Sequence, residues 1–415
     1  MAIRGQINFP GDKSISHRAL MLAALCEGKS KISNLSTGKD IGSTRRCLDA
    51  CGIAIHDKAN GVNVHGGSFS DPPSPLNCGN SGTTARMLLG LLAGKGVNAT
   101  FVGDHSLTSR PMARVITPLE KMGLKTERKN GTLPVKIKKS QLSGIEYHLP
   151  VPSAQVKSAV ILAGLGVQSS ETSVKESIPT RNHTELMLQA LNADISIDGD
   201  TITVSGGKPL SRFAMKIPGD PSTAAFFAAA AAVVPKSNLV LRGISLNPTR
   251  TGFFTTLQKM GGNIEYFDRS KTFGETVGDF KIRSTFLRSV RLDRNEIPKL
   301  IDEIPMLAVV ATQANGVTEI RGAGELRFKE CDRIEAICCN LKNMGVQIEE
   351  FDDGFTIEGP CYLKGTTIKT FGDHRIAMAF SIAGLIAEGE TKLDDRDCTT
   401  VSFPGFFAAL EGVTE

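Results

Sequence analysis

Residues 83–94, TTARMLLGLLAG, read as a helix that is apolar almost all round, yet it opens on two hydroxyls and an arginine. A helix without a polar face has to be buried, so its start is the one place where polar chemistry can emerge. Five other stretches repeat this design: 16-SHRALMLAALC-26, 155-QVKSAVILAGLG-166, 222-STAAFFAAAAAVV-234, 303-EIPMLAVVATQA-314 and 374-HRIAMAFSIAGLIA-387. Their starts lie roughly 70 to 80 residues apart, longer than an ordinary solenoid repeat and long enough for a small subdomain.

A second motif alternates with the first. It is an amphipathic helix closed by a small residue and followed by an alternating strand: 45-RRCLDACGIAIH-56, 117-TPLEKMGLKTE-127, 187-MLQALNADISID-198, 255-TTLQKMGGNIEYF-267 and 338-CCNLKNMGVQIEEF-351. Gly52, Gly123, Gly261 and Gly345 stand where a helix C-cap needs a left-handed residue, and Asn192 fills that place in the third copy. The helix 406-FFAALEG-412 occupies the corresponding place in a sixth, with no strand after it.

Hydrophobic periodicity therefore switches between helix and strand in six βαβαββ-like units, which suggests two domains of three. A chain of 415 residues also exceeds what one core usually supports. The change of domain is expected at Pro218-Gly219-Asp220, a turn signal ahead of the fourth unit. The strand Ile3 to Phe9 leads into a Pro-Gly-Asp turn just as Phe213 to Ile217 does, so the opening residues are expected to pack with the second half. The predicted domains are 13–218, and 1–12 together with 219–415.

The net charge of +5 comes from 48 basic and 43 acidic residues without dense Lys/Arg runs, which argues against nucleic acid and for a small acidic substrate. Nine cysteines without CxxC or Cys/His ligand spacing read as free thiols in a reducing compartment. Met1 to Gly11 reads as a strand and turn rather than a secretion signal. The most apolar stretch, Thr223 to Val234, is about half of what a membrane span needs. A cytoplasmic protein without membrane attachment is the expectation.

The polar residues hardest to explain by packing open the buried helices. Lys13, Ser14 and Arg18 open the first; Asn80, Ser81, Gly82, Thr83 and Arg86 the second; Ser153, Gln155 and Lys157 the third. Helix N-termini carry unpaired N–H groups and the positive end of the macrodipole, so several together form an anion site. Simple capping is the plainer alternative for any one Ser or Asn, but it does not account for Lys13, Arg18, Arg86 and Lys157. In the second half the starts carry acids: Asp220, which reads as a cap, Asp302 with Glu303, and Asp373 before His374 and Arg375. Asp302 ahead of a Pro and an apolar helix could serve as a general base. The segment 326-LRFKECDRIEA-336 concentrates mixed charge; a surface cluster and a tuned proton donor at Glu330 are both open readings.

Nine motifs in order along nearly the whole chain resemble the 5-enolpyruvylshikimate-3-phosphate synthase family: GDKSISHRA from Gly11, NSGTTAR from Asn80, SRPM from Ser109, PSAQVKSA from Pro152, TRNHTE from Thr180, GDPSTAA from Gly219, DEIPMLAV from Asp302, LRFKECDRI from Leu326 and GDHRIAMA from Gly372. The resemblance implies an α/β (α+β) fold of two domains, an inside-out αβ barrel or prism with three βαβαββ repeats each. It implies that Lys13, Ser14, Arg18, Ser153, Ala154, Gln155, Arg181, Asp302 and Lys329 hold shikimate 3-phosphate, with Ser153 and Arg181 on its phosphate and Arg18 on its carboxylate. Phosphoenolpyruvate would meet Lys13, Asn80, Gly82, Arg110, Gln155, Lys329, Arg333 and Arg375. Asp302 would take the proton of the 5-hydroxyl, and Glu330, helped by Lys329 or Lys13, would protonate the methylene carbon. The resemblance implies no cofactor and no metal, a cleft between the domains that closes on the substrates, and sensitivity to glyphosate, because Gly82 leaves room for that inhibitor.

Two features bound the resemblance. Some branches carry a Lys before the final S/T-F-P motif, where this chain has Val401 ahead of Ser402-Phe403-Pro404. The sister family that acts on UDP-N-acetylglucosamine places a Cys in the loop before Arg-Pro; residues 103–111 here, GDHSLTSRP, contain none, and His105 reads as a solvated loop residue. A non-catalytic scaffold for anionic metabolites would have no use for Asp302 and Glu330 beside the basic set.

Overall fold

A computed structural model describes residues 1–415 and divides into two compact units. The first comprises Gly11–Ile217 with Thr272–Glu275, the second Met1–Pro10, Pro218–Lys271 and Thr276–Glu415.

The first unit contains helices α1 (Lys13–Leu25), α2 (Lys39–Ala50), α3 (Gly82–Gly94), α4 (His105–Ser109), α5 (Ala113–Lys121), α6 (Ala154–Gly164) and α7 (His183–Ala190). It has three four-stranded sheets of one topology. In the second sheet Leu76–Asn77 runs parallel to Ala99–Val102, which is antiparallel to Val135–Lys138, itself antiparallel to Lys125–Arg128. The third sheet repeats this with Glu146–His148, Thr172–Lys175, Thr201–Val204 and Ile195–Asp198. In the first sheet the leading strand comes from the end of the half, Ala214–Lys216, with Met215 opposite Ile32; Gly28–Ser33, Gly61–Gly66 and Ala54–Lys58 complete it.

The second unit contains α8 (Pro221–Val233), α9 (Gly252–Lys259), α10 (Ile304–Ala311), α11 (Arg333–Asn343), α12 (His374–Gly384) and α13 (Phe406–Glu411). Arg4–Asn8 runs parallel to Asn238–Ser245, beside Glu275–Arg283 and Asn263–Thr272. A second sheet forms around Ala314–Ile320, and a third is a two-stranded pair, Thr367–Ile368 with Lys392–Leu393. The architecture is mixed α/β.

The layering follows from the pattern of apolar residues. The repeat helices are apolar on every side and are buried in both cores, Ala224–Ala232 of α8 and Ile304–Ala311 of α10 being nearly inaccessible. The strands alternate, as in Val135–Lys138, where every second side chain is exposed. Small residues let the buried helices approach closely: a Cβ on Gly90 of α3 would lie 2.0 Å from the carbonyl of Ala159 in α6. The expected helix stops are in place, since Gly52, Gly123, Asn192, Gly261 and Gly345 all have positive φ. No helix is long and apolar enough to cross a membrane.

Candidate functional site

In the first unit the starts of α1, α3 and α6 each bring polar side chains together. Asp12 caps α1 by accepting from the backbone N–H of Ile15 at 2.8 Å. Lys13, next along, directs its ammonium to Asp40 of α2 at 3.1 Å. Arg181 donates to the Ser14 hydroxyl at 3.3 Å. Arg18 is almost wholly buried; it donates to Thr184 at 2.7 Å, to Ser158 at 2.9 Å and to the Ser14 carbonyl at 3.0 Å.

The starts of α1, α2 and α3 are tied by buried hydroxyls. The imidazole Nδ1 of His17 lies 2.7 Å from the Thr44 hydroxyl, which lies 2.7 Å from that of Thr84, which donates to Ser81 at 2.7 Å. Burial first, then the charges of Lys13 and Arg18, hold the pKa of His17 well below an ordinary histidine.

Around α3 the guanidinium of Arg110 donates to the side-chain oxygen of Asn80 at 2.6 Å and to its carbonyl at 3.3 Å, while the Asn80 amide donates to Asp104 at 2.8 Å. Arg86 donates to Gln155 at 2.7 Å, and Gln155 donates to Thr83 at 2.9 Å, joining the starts of α3 and α6. Ser153 caps α6 through the N–H of Val156, with Ala154 as the first helical residue. Gly82 is buried against these arginines, where a Cβ would stand 2.9 Å from Nη1 of Arg86 and 3.7 Å from Nη1 of Arg110.

In the second unit Arg333, the first residue of α11, is the centre of an acid cluster. It donates from Nε to Asp373 at 2.7 Å, from Nη2 to Glu330 at 2.6 Å and from Nη1 to Asp302 at 3.3 Å. Arg375 donates to the Asp302 carbonyl at 3.0 Å and pairs with its carboxylate at 3.7 Å. Burial works against the Arg333 charge, but Asp373, Glu330 and Asp302 outweigh it and raise its pKa above the ordinary arginine value. Burial likewise opposes the Asp373 charge, and Arg333 overrides it, so that carboxyl is held below its usual range. Asp302 and Glu330, 28 residues apart in sequence but on one guanidinium, are both partly accessible. Lys329, also partly accessible, precedes Glu330.

The mixed-charge segment thus divides. Arg327 pairs with Asp332 and Glu350 near the surface, and Asp332 caps α11, while Glu330 and Arg333 turn to the buried acids. Capping holds for Ser81, Ser153, Asp220 and Asp373, each accepting a helix N–H. His105 is exposed, as expected, but it starts the short α4 rather than lying in a loop. One expectation is corrected: Lys157 is not available to an anion, because its fully buried ammonium lies 2.7 Å from both Glu176 and Glu185. Sequence reading also missed Asp40 as the partner of Lys13; a lone acid at the start of α2 carries no local signal.

Clustered cations at buried helix starts in one unit, and a guanidinium holding two accessible carboxylates in the other, define a class of αβ enzyme that handles small multiply anionic substrates and moves a proton. The family model for EPSP synthase (3-phosphoshikimate 1-carboxyvinyltransferase) matches residues 1–410. A 3-phosphoshikimate 1-carboxyvinyltransferase of Thermodesulfovibrio yellowstonii is 46% identical, covering 99% of this chain and 97% of that protein. That of Persephonella marina is 44% identical with the same coverage. Among solved structures, EPSP synthase of Acinetobacter baumannii is 38% identical and superposes with a TM-score of 0.88 over 99% of this chain and 96% of that one. The enolpyruvyl transferase NikO of Streptomyces tendae shares the fold at 17% identity and a TM-score of 0.81, over 99% and 95% of the two chains. The chain belongs to the EPSP synthase family.

Proposed function

We propose that this chain transfers the enolpyruvyl group of phosphoenolpyruvate to the 5-hydroxyl of shikimate 3-phosphate, releasing phosphate, as a step of aromatic amino acid biosynthesis. The observation that carries the reading is the pair Asp302 and Glu330 on Arg333, within a chain that matches the family along residues 1–410.

Domain 13–218, which the turn Thr272–Glu275 joins, takes the larger part of shikimate 3-phosphate, and the rest of 1–12 with 219–415 supplies the acids. Ser153 and Arg181 receive the phosphate, with Ser14, Ala154 and Gln155 around the ring and Arg18 toward its carboxylate. Arg18 is already committed to Thr184 and Ser158, so it reaches a substrate carboxylate by exchanging one of those hydroxyls. Phosphoenolpyruvate meets Lys13, Asn80, Gly82, Arg110, Gln155, Lys329, Arg333 and Arg375. Arg333 contributes its charge while it orients the two acids.

The 5-hydroxyl oxygen bonds to C2 of phosphoenolpyruvate as Asp302 takes the hydroxyl proton. Glu330, assisted by Lys329 or Lys13, delivers a proton to C3, forming a tetrahedral ketal. The C2–phosphate oxygen bond then breaks, C3 returns a proton to Glu330, phosphate leaves with the proton that Asp302 took, and the enol ether is released. The substrates carry two phosphates and two carboxylates, whose mutual repulsion is costly unless fixed Lys and Arg side chains surround them. The protein acts as a cytoplasmic monomer on these two small molecules, without nucleic acid.

Asp302→Asn tests the assignment. Both substrates should bind with little change while turnover falls by about 10²- to 10⁴-fold, the usual contribution of a general base. Turnover within threefold of wild type would make the cluster a binding device and overturn the catalytic role.

A further inference from the structure

The first unit contains four residues from far along the chain, Thr272–Glu275, the turn between strands Asn263–Thr272 and Glu275–Arg283. Phe273 and Gly274 both have positive φ, 46° and 82°, as a tight hairpin turn requires. The Phe273 ring packs on Phe213, with centroids 4.7 Å apart. A Cβ on Gly274 would fall 2.7 Å from the carbonyl oxygen of Leu186, so only glycine lets this turn press against α7. Glu275 follows, and its carboxylate lies 2.6 Å from Nδ1 of His183 with both side chains fully buried. The bond ties the His183 ring to the Glu275 carboxyl whichever of the two carries the proton.

His183 is the first residue of α7, two positions after Arg181. The same segment is held by other buried polar groups. Thr180 donates through its N–H and hydroxyl to Glu176, at 3.1 and 2.7 Å; Lys157 joins Glu176 to Glu185; and Arg18 holds Thr184. Those groups belong to Gly11–Ile217, whereas Glu275 arrives from 92 residues beyond His183. A buried acid–histidine pair is a poor way to gain stability, since desolvation offsets much of the attraction, but it does select one orientation of its members. Fixing the His183 ring fixes the start of α7 and with it the backbone that carries Arg181.

We propose that Glu275 is a positioning residue for shikimate 3-phosphate, acting through His183 on Arg181. This rests on the assignment of Arg181 to the substrate phosphate. The test is a double-substitution cycle read by steady-state kinetics. Glu275→Ala removes the carboxyl that holds the His183 ring at Nδ1, and the KM for shikimate 3-phosphate should rise about tenfold, with kcat and the KM for phosphoenolpyruvate within about twofold. In an Arg181→Ala background the same substitution should add less than about twofold, because the group it positions is gone. Should Glu275→Ala fail to fold, Glu275→Gln in the same cycle should raise that KM by about threefold. An unchanged KM for shikimate 3-phosphate in a folded variant, or equal rises in both KM values, would overturn the proposal. So would a Glu275 effect undiminished in the Arg181→Ala background. If Arg181→Ala alone left the KM for shikimate 3-phosphate unchanged, the assignment of Arg181 would fail and this inference with it. An Arg181→Ala enzyme with a raised KM but an additive cycle would remove the inference alone.

Discussion

Replacing Arg333 by Met removes one guanidinium and leaves three carboxylates facing one another. Asp373 suffers most: it is fully buried and loses the bond from Arg333 Nε at 2.7 Å, keeping its helix-capping bond from the Arg375 N–H. Breaking a buried ion pair by removing one partner costs about 3–5 kcal/mol. For a unit of this size each kcal/mol moves the melting temperature by about 2–4 °C, so Arg333→Met should melt about 6–20 °C lower near neutral pH. The pH dependence has a definite sign. The pKa of Asp373 is held below its usual range in the folded protein, so its contribution is present above the unfolded value of about 3.9 and is lost as pH falls through the folded value. Without Arg333 the buried carboxyl protonates at higher pH, and the gap between variant and wild type should narrow as pH falls from 7.5 to 5. Calorimetric melting is the assay, because it separates transitions in a chain of two units. A loss under about 3 °C at pH 7.5, where about 6 °C or more is expected, or a gap of the same size at both pH values, would refute the reasoning.

Lys157→Met should also destabilise by about 3–5 kcal/mol by stranding Glu176 and Glu185, and adding Glu176→Gln and Glu185→Gln should recover part of the loss in melting temperature. Gly90→Ala forces a methyl to within 2.0 Å of the Ala159 carbonyl, an overpacking that should cost about 1–3 kcal/mol or more in chemical denaturation. Glyphosate should inhibit the wild-type enzyme at low phosphoenolpyruvate. Gly82→Ala, whose methyl would crowd Arg86 Nη1 and touch Arg110, should raise the inhibition constant more than the KM for phosphoenolpyruvate; equal changes in both would show that the methyl does not discriminate.

What could be read from the sequence was what local chemistry dictates. Helices apolar on every side must be buried, and the residues after the amphipathic helices, four glycines and Asn192, take the left-handed conformation that a C-cap demands. The candidate residues were visible because they interrupt that pattern, as Lys13, Arg86 and Asp302 do. Partners were not visible. Nothing local in Asp40 marks it as the acid for Lys13, and Lys157 looked like an anion ligand because Glu176 and Glu185 lie 19 and 28 residues away. The placement of Thr272–Glu275 against α7 depends on the closure of a long hairpin, which no periodicity records. Side-chain pairing across such separations is set by topology, and the repeat pattern specifies where helices lie without specifying which charges meet.

The most direct test is phosphate release with product mass measured in the same reaction. Phosphoenolpyruvate and shikimate 3-phosphate should give one phosphate for each enol ether formed, and UDP-N-acetylglucosamine in place of the shikimate ester should give none. Release with the UDP-sugar, or none with shikimate 3-phosphate, would contradict the account.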